Sequence, residues 1–155
     1  MRILFVCHGN ICRSPMAEMI FRELLARRSL TEHFEVDSCA TSREEIWNGV
    51  GNPIYPPAKR ELERHQIPVL PHCARQVTEE DYRYYDLLLC MDHRNLSALH
   101  RLLGGDPQGK IALLLSYAGE DRDVADPWYT DRFDVAYRDV LLGCESLLDS
   151  LMPLS

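Results

Sequence analysis

Residues Val6–Pro15 read "VCHGNICRSP". They close a continuous apolar run, "ILFVC" (Ile3–Cys7), which suits a parallel strand buried on both faces. Ser14-Pro15 carries a helix-start signal, a serine N-cap followed by proline at the first helical position. Ala17, Ile20, Phe21, Leu24 and Leu25 then recur at helical spacing. The opening unit is therefore strand, polar loop, helix. A plain turn needs neither two cysteines nor an arginine, so the content of this loop asks for a chemical reason.

The rest of the chain extends the pattern. "FEVDS" (Phe34–Ser38) alternates as a second strand, and "SREEIWNGVGNPIYPP" (Ser42–Pro57) reads as a long loop. "PPAKRELERHQI" (Pro56–Ile67) and "TEEDYRYY" (Thr78–Tyr85) are short helices, the second opened by a capping box from Thr78 to Asp81. "DLLLCM" (Asp86–Met91) is a buried strand, "NLSALHRLL" (Asn95–Leu103) a helix, "GGDPQG" (Gly104–Gly109) a turn and "KIALLLSY" (Lys110–Tyr117) a strand. "AGEDRDVADPWYTD" (Ala118–Asp131) is a long polar loop. Phe133, Ala136, Tyr137, Val140, Leu141, Cys144, Leu147, Leu148 and Leu151 mark a C-terminal amphipathic helix. This alternation predicts an α/β fold: a four-stranded parallel sheet with helices on both faces, in one domain over residues 1–155. In such folds ligands bind at the carboxyl ends of the strands, where the first loop and the loop carrying Asp126 should meet.

Composition narrows the function classes. The net charge of −7 argues against a nucleic-acid or anionic-membrane binder. A pocket can still be locally positive on an acidic protein. No apolar run approaches the ~18–20 residues of a membrane span, and "MRILFVCHGN" lacks a signal-peptide pattern, so a cytoplasmic location is expected. The six cysteines neither pair into CxxC zinc knuckles nor suit a disulfide framework in a core-rich chain. Cys90, inside "LLLCM", reads as a core hydrophobe. No carboxylate cluster offers itself to magnesium, and neither a metal nor a cofactor is expected.

Five residues separate Cys7 from Arg13. They can curl so that several backbone N–H groups face one centre, an anion-binding nest reinforced by the dipole of the following helix. Arg13 can present a planar fork to two oxygens of a tetrahedral anion. Gly9 and Asn10 tolerate the positive φ that a tight loop demands. The same dipoles favour a thiolate: a free cysteine titrates near ~8.5, and helix N-termini with nearby cations lower this to about 3.5–7.5. Cys7 is then a nucleophile at neutral pH, and Ser14 can support its sulfur by a hydrogen bond. The loop reads as a phosphate cradle. Displacing phosphate from an alcohol or phenol also needs a proton donor. Two Asp-Pro pairs offer one, Asp106-Pro107 in a plain turn and Asp126-Pro127 beside Trp128 and Tyr129; composition favours Asp126 without excluding the other.

Taken together, "VCHGNICRSPMAE", "VDSCATS", "PHCARQVTEEDY", "CMDHRNL" and "DPWYTDRFDVAY" closely resemble the low-molecular-weight protein-tyrosine phosphatase family, in order and over essentially the whole chain. The resemblance implies hydrolysis of phosphotyrosine and aryl phosphates through a phosphocysteine intermediate. It assigns Cys7 as nucleophile, Arg13 as the phosphate and transition-state ligand, and Asp126 as proton donor. His8, Gly9, Asn10, Ile11, Cys12, Arg13 and Ser14 would form the phosphate loop. Ser38 and His72 match positions that brace it, and Asp92 reads as structural. Cys12 matches a second loop cysteine able to form a reversible disulfide with Cys7.

The chain departs from common patterns at His8, a position often apolar or small, and in the long Ser42–Pro57 segment, which resembles a substrate-selecting rim. Trp47, Trp128 and Tyr129 are the candidate walls of an aromatic slot. Partners would be phosphotyrosine-containing proteins or small aryl phosphates, with no nucleic acid and no membrane, and the chain a monomer or weak homodimer. Three rivals carry distinct marks. A thiol-linked arsenate reductase needs a close downstream cysteine pair, whereas Cys73 and Cys90 stand seventeen apart. An arginine phosphatase tends to carry threonine where Ile11 stands. A non-catalytic phosphate-binding module has no use for Asp126.

Overall fold

In the computed structural model, which describes residues 1–152, the apolar run at the N-terminus forms β1 (Arg2–Cys7), buried from Ile3 onward. It lies between β2 (Glu35–Ala40) and β5 (Leu87–Cys90), parallel to both. The sheet closes with β6 (Ile111–Leu113), giving the order β2-β1-β5-β6. Alternate side chains of β1 feed two cores. Ile3, Phe5 and Cys7 face the helices α1 (Arg13–Arg27), α2 (Pro56–Arg64) and α6 (Phe133–Leu151). Leu4 and Val6 face α3 (Glu79–Tyr84) and α4 (His93–Leu103) through Tyr82, Tyr85 and Leu99. A central strand apolar on both faces is thus matched by helices on both faces.

The order has a functional consequence. From β1 the chain crosses to β2 on one side, whereas β5 and β6 lie on the other. Between β1 and β5 the connections leave the carboxyl edge in opposite directions, which opens a crevice there. The Cys7 loop and the Met91–Asp92 turn flank it.

Three segments differ from the sequence expectation. The Ser42–Pro57 loop contains a small antiparallel hairpin, β3 (Ile46–Trp47) and β4 (Val50–Gly51). Its turn is Asn48-Gly49, with both residues at positive φ, the pairing that a two-residue hairpin prefers. Gly51 is required next, because a Cβ there would meet the Ala74 carbonyl oxygen at 1.8 Å. The expected strand Lys110–Tyr117 stops at Leu113 and continues as a 3₁₀ turn, Leu114–Ala118. That turn buries Leu114 and Leu115 against the α6 side of the core, where an apolar run satisfies either conformation. The Ala118–Asp131 loop contains α5 (Pro127–Thr130), capped by Asp126. No helix among the described residues is long and apolar enough to cross a membrane.

Candidate active site

The first helical residue is Arg13 rather than Pro15, and the cap position falls on Cys12, which makes no side-chain cap bond. Ser14, expected as the cap, turns its hydroxyl inward instead, 3.0 Å from Cys7 Sγ. Its Oγ accepts from Asn10 Nδ2 at 2.8 Å, which leaves its own proton for that sulfur or for the Cys39 carbonyl at 3.4 Å. The backbone N–H of Asn10 donates to Cys7 Sγ at 3.2 Å. The amides of Gly9, Ile11, Cys12 and Arg13 donate to no protein acceptor among the described residues. Uncapped amides at a helix N-terminus, in the loop that follows Cys7, are what an anion seeks.

Asn10 holds this loop in shape. It is fully buried at φ 61°, and every polar group of it is used. Its Nδ2 also donates to Ser38 Oγ at 3.0 Å, its Oδ1 accepts from the Arg75 amide at 3.1 Å, and its carbonyl accepts from His72 Nε2 at 2.7 Å. Ser38 passes the contact on to Glu18 Oε1 at 2.7 Å, and Glu18 pairs with Arg22. Arg75 is itself clamped between Asp37 and Asp81. Ser38 and His72 both hydrogen-bond to Asn10 of the loop, and so does the Arg75 amide; the sequence reading missed Arg75 and Glu18. Glu18 stands four residues after Ser14 and four before Arg22, so helical spacing would have flagged it.

Asn10→Ala should lower stability by about 3–5 kcal/mol, since alanine pays for a left-handed backbone and three polar partners lose their mate. For a chain of this size that is a fall of roughly 10 °C in the unfolding midpoint. Asn10→Gly keeps the backbone but not the bonds and should recover only the smaller share, as calorimetry of the two variants would show.

Arg13 is nearly fully buried. Its Nη1 lies 2.9 Å from Asp92 Oδ2 and donates to the Val124 carbonyl at 3.0 Å, and its Nη2 reaches Asp126 Oδ2 at 3.4 Å. Burial opposes its charge, but Cys7, Asp126 and Asp92 outweigh that and hold its pKa above the ordinary arginine value. Asp92 also caps α4 through the Asn95 amide, so this one carboxylate ties the guanidinium to the β5–α4 turn. Asp126 accepts from the Trp128 amide at 3.1 Å and remains partly exposed, beside the same guanidinium. The rival Asp106 lies at the amino edge of β6, where it accepts from Tyr82 Oη and the amides of Lys110 and Ile111. It is a turn residue, and of the two Asp-Pro pairs Asp126 is the one that adjoins the Cys7 loop, through Arg13.

A cleft of about 910 Å³ opens over the loop. Trp128 and Tyr129 line it, as do Tyr55 and Phe133, which the sequence reading missed. Tyr55 stacks on Phe133 with ring centroids 6.0 Å apart and lies 6.3 Å from Trp128. Trp47 is not among the lining residues. It stands 79 % exposed on the β3 strand of the hairpin, apart from the residues that wall the cleft. His8 faces solvent and pairs with Glu44 at 3.0 Å. Cys7 and Cys12 are both free thiols; burial, then the neighbouring Cys7, pushes the Cys12 thiol far up.

Sulfur, guanidinium, free amides and a carboxylate on one side of a cleft form a device for tetrahedral anions. Comparison with known proteins agrees with that geometry. The sequence profile of the low molecular weight phosphotyrosine protein phosphatases matches residues 2–153. The human low molecular weight phosphotyrosine protein phosphatase is 38 % identical over 161 residues, covering 95 % of this chain and 93 % of that protein. Among solved structures, YfkJ of Bacillus subtilis superposes with a TM-score of 0.91 at 38 % identity, over 97 % of this chain and 94 % of that one. A Drosophila arginine phosphatase superposes with a TM-score of 0.87 at 32 % identity, over the full length of both chains. The match in sequence and fold extends from β1 to α6, and the chain belongs to the low molecular weight phosphotyrosine protein phosphatase family.

Proposed function

We propose that this chain hydrolyses phosphotyrosine and aryl phosphates by way of a phosphocysteine at Cys7. In the first step Cys7 Sγ attacks phosphorus, the bond from phosphorus to the aryl oxygen breaks, and Asp126 gives its proton to that oxygen. In the second, water attacks phosphorus, Asp126 takes the water's proton, the sulfur leaves as thiolate and inorganic phosphate is released. The Arg13 fork and the loop amides bear the charge of the phosphoryl group in both steps. The observation that carries this reading is the convergence on one cleft of Cys7 Sγ, with its Asn10 and Ser14 donors, and the Arg13–Asp126 pair. A phosphoryl group that occupies the Arg13 fork competes for the Nη2 that now reaches Asp126. That frees the carboxyl at the moment it is needed.

Asp126→Asn keeps the shape and the cap but cannot exchange a proton. It should slow esters of poorly leaving phenols on the order of 10²-fold and those of good leaving groups far less. Steady-state rates across a series of aryl phosphates test this; equal slowing throughout would remove Asp126 from the role. Likeness to an arginine phosphatase raises phosphoarginine as a second substrate class. The bulk of Ile11 and the ring-lined wall of Tyr55, Trp128, Tyr129 and Phe133 support a flat aryl ester instead. Side-by-side turnover of phosphotyrosine and phosphoarginine decides between them.

A further inference from the structure

The cleft does not end at the phosphate loop. It continues along the exposed side of α4, where Arg94, Ser97, Ala98 and Arg101 line it. Spacings of three, four and seven put these residues in one row on the helix. The two arginines at its ends are about 10 Å apart along the axis, seven residues at ~1.5 Å each. Ser97 and Ala98 between them are small and leave a low floor.

The charge of this row is unusual for the chain. The α4 sequence "HRNLSALHRLL" contains no acidic residue, in a protein of net charge −7. Arg94 and Arg101 form no ion pair and no side-chain hydrogen bond among the described residues. Most arginines of the chain are paired, Arg13 with Asp92 and Arg75 with Asp81 among them. The glutamates of the cleft lie on the opposite rim, where Glu44 contacts His8 and Glu45 accepts from the Asn52 side-chain amide. Arg94 and Arg101 thus have no acidic partner of their own beside an anion-binding loop, and they make their side of the cleft the one that favours negative ligands.

We propose that the Arg94–Arg101 row is a subsite for the acidic flank of a phosphotyrosine-bearing peptide. This rests on the phosphatase reading above. A peptide in the polyproline II conformation advances ~3.1 Å per residue with three residues per turn, so two carboxylates three positions apart share one face and span about the distance between the two guanidinium groups. The cleft volume lies at the upper end of the roughly 300–1,000 Å³ typical of ligand sites, room for more than one aryl phosphate.

The test uses three phosphotyrosine peptides of equal length. One carries Asp at two positions three apart on the N-terminal side of the phosphotyrosine, one carries them on the C-terminal side, and one has Lys at all of those positions. One acidic peptide should exceed the lysine peptide about five-fold in kcat/KM at low salt, as two exposed ion pairs allow, and the gap should close as salt rises. The double variant Arg94→Glu with Arg101→Glu should invert the order. Equal rates for all three peptides, or an order that survives charge reversal, would overturn the subsite. So would a double variant that alters sedimentation of the chain but not its peptide order, because the row would then be a contact between copies. An unsubstituted chain that fails to turn over a simple aryl phosphate would sink the phosphatase reading itself. Turnover of that ester with no peptide preference sinks the subsite alone.

Discussion

Cys7→Ser should abolish aryl phosphate turnover, with a loss on the order of 10⁴-fold or more. The reason is chemical rather than steric. Serine fits the space and can still meet the Asn10 amide and the Ser14 hydroxyl, but its oxygen holds its proton where a thiol releases it, and no base adjoins it. The anion site itself survives, since the Gly9, Ile11, Cys12 and Arg13 amides and the Arg13 fork are untouched. Inorganic phosphate should therefore bind the variant about as well as it binds the parent chain, which titration calorimetry measures. Residual turnover within tenfold of the parent would show that sulfur is not the nucleophile. Loss of phosphate binding together with turnover would instead mean that the loop had collapsed.

Arg13→Lys should cost about 10³-fold in kcat/KM. The charge is kept, so the size of the loss reports geometry. Arginine contacts Asp92 and the Val124 carbonyl through Nη1 and Asp126 through Nη2, and still offers a planar edge to phosphate. A lysine has one point charge and cannot serve the two carboxylates and a phosphoryl group together. Asp92, which is buried, would then lose a partner, and the unfolding midpoint should fall as well. Aryl phosphate kinetics with a parallel thermal melt separate the two effects. A lysine variant that keeps a tenth of the parent rate would remove the bidentate role from Arg13.

Much of this site lies in one short segment, and that is why it was legible. Cys7, Asn10, Arg13 and Ser14 share a single strand–loop–helix unit, so their spacing along the chain is nearly their spacing in space. Asp126 was harder. Asp106-Pro107 carries the same local signature, and only the position of the second pair at the carboxyl edge, against Arg13, separates it from a turn. Ser14 shows a different failure. Its N-cap signal is genuine, but the sulfur offered the hydroxyl a better use than the helix amides did, and those amides stay free for an anion. The hairpin at Asn48-Gly49 could have been read from its turn residues.

By itself the chain's order of apolar runs and breaks determined the parallel α/β sheet and the place of the Cys7–Arg13 loop at its edge, because burial of a central strand and curling of a short loop are local demands. Folding in three dimensions decided which aspartate serves the loop, which rings wall the cleft, and that an acid-free helix face runs on from it. Those choices depend on which side of β1 each later strand joins, a matter of long-range packing that no stretch of residues records on its own.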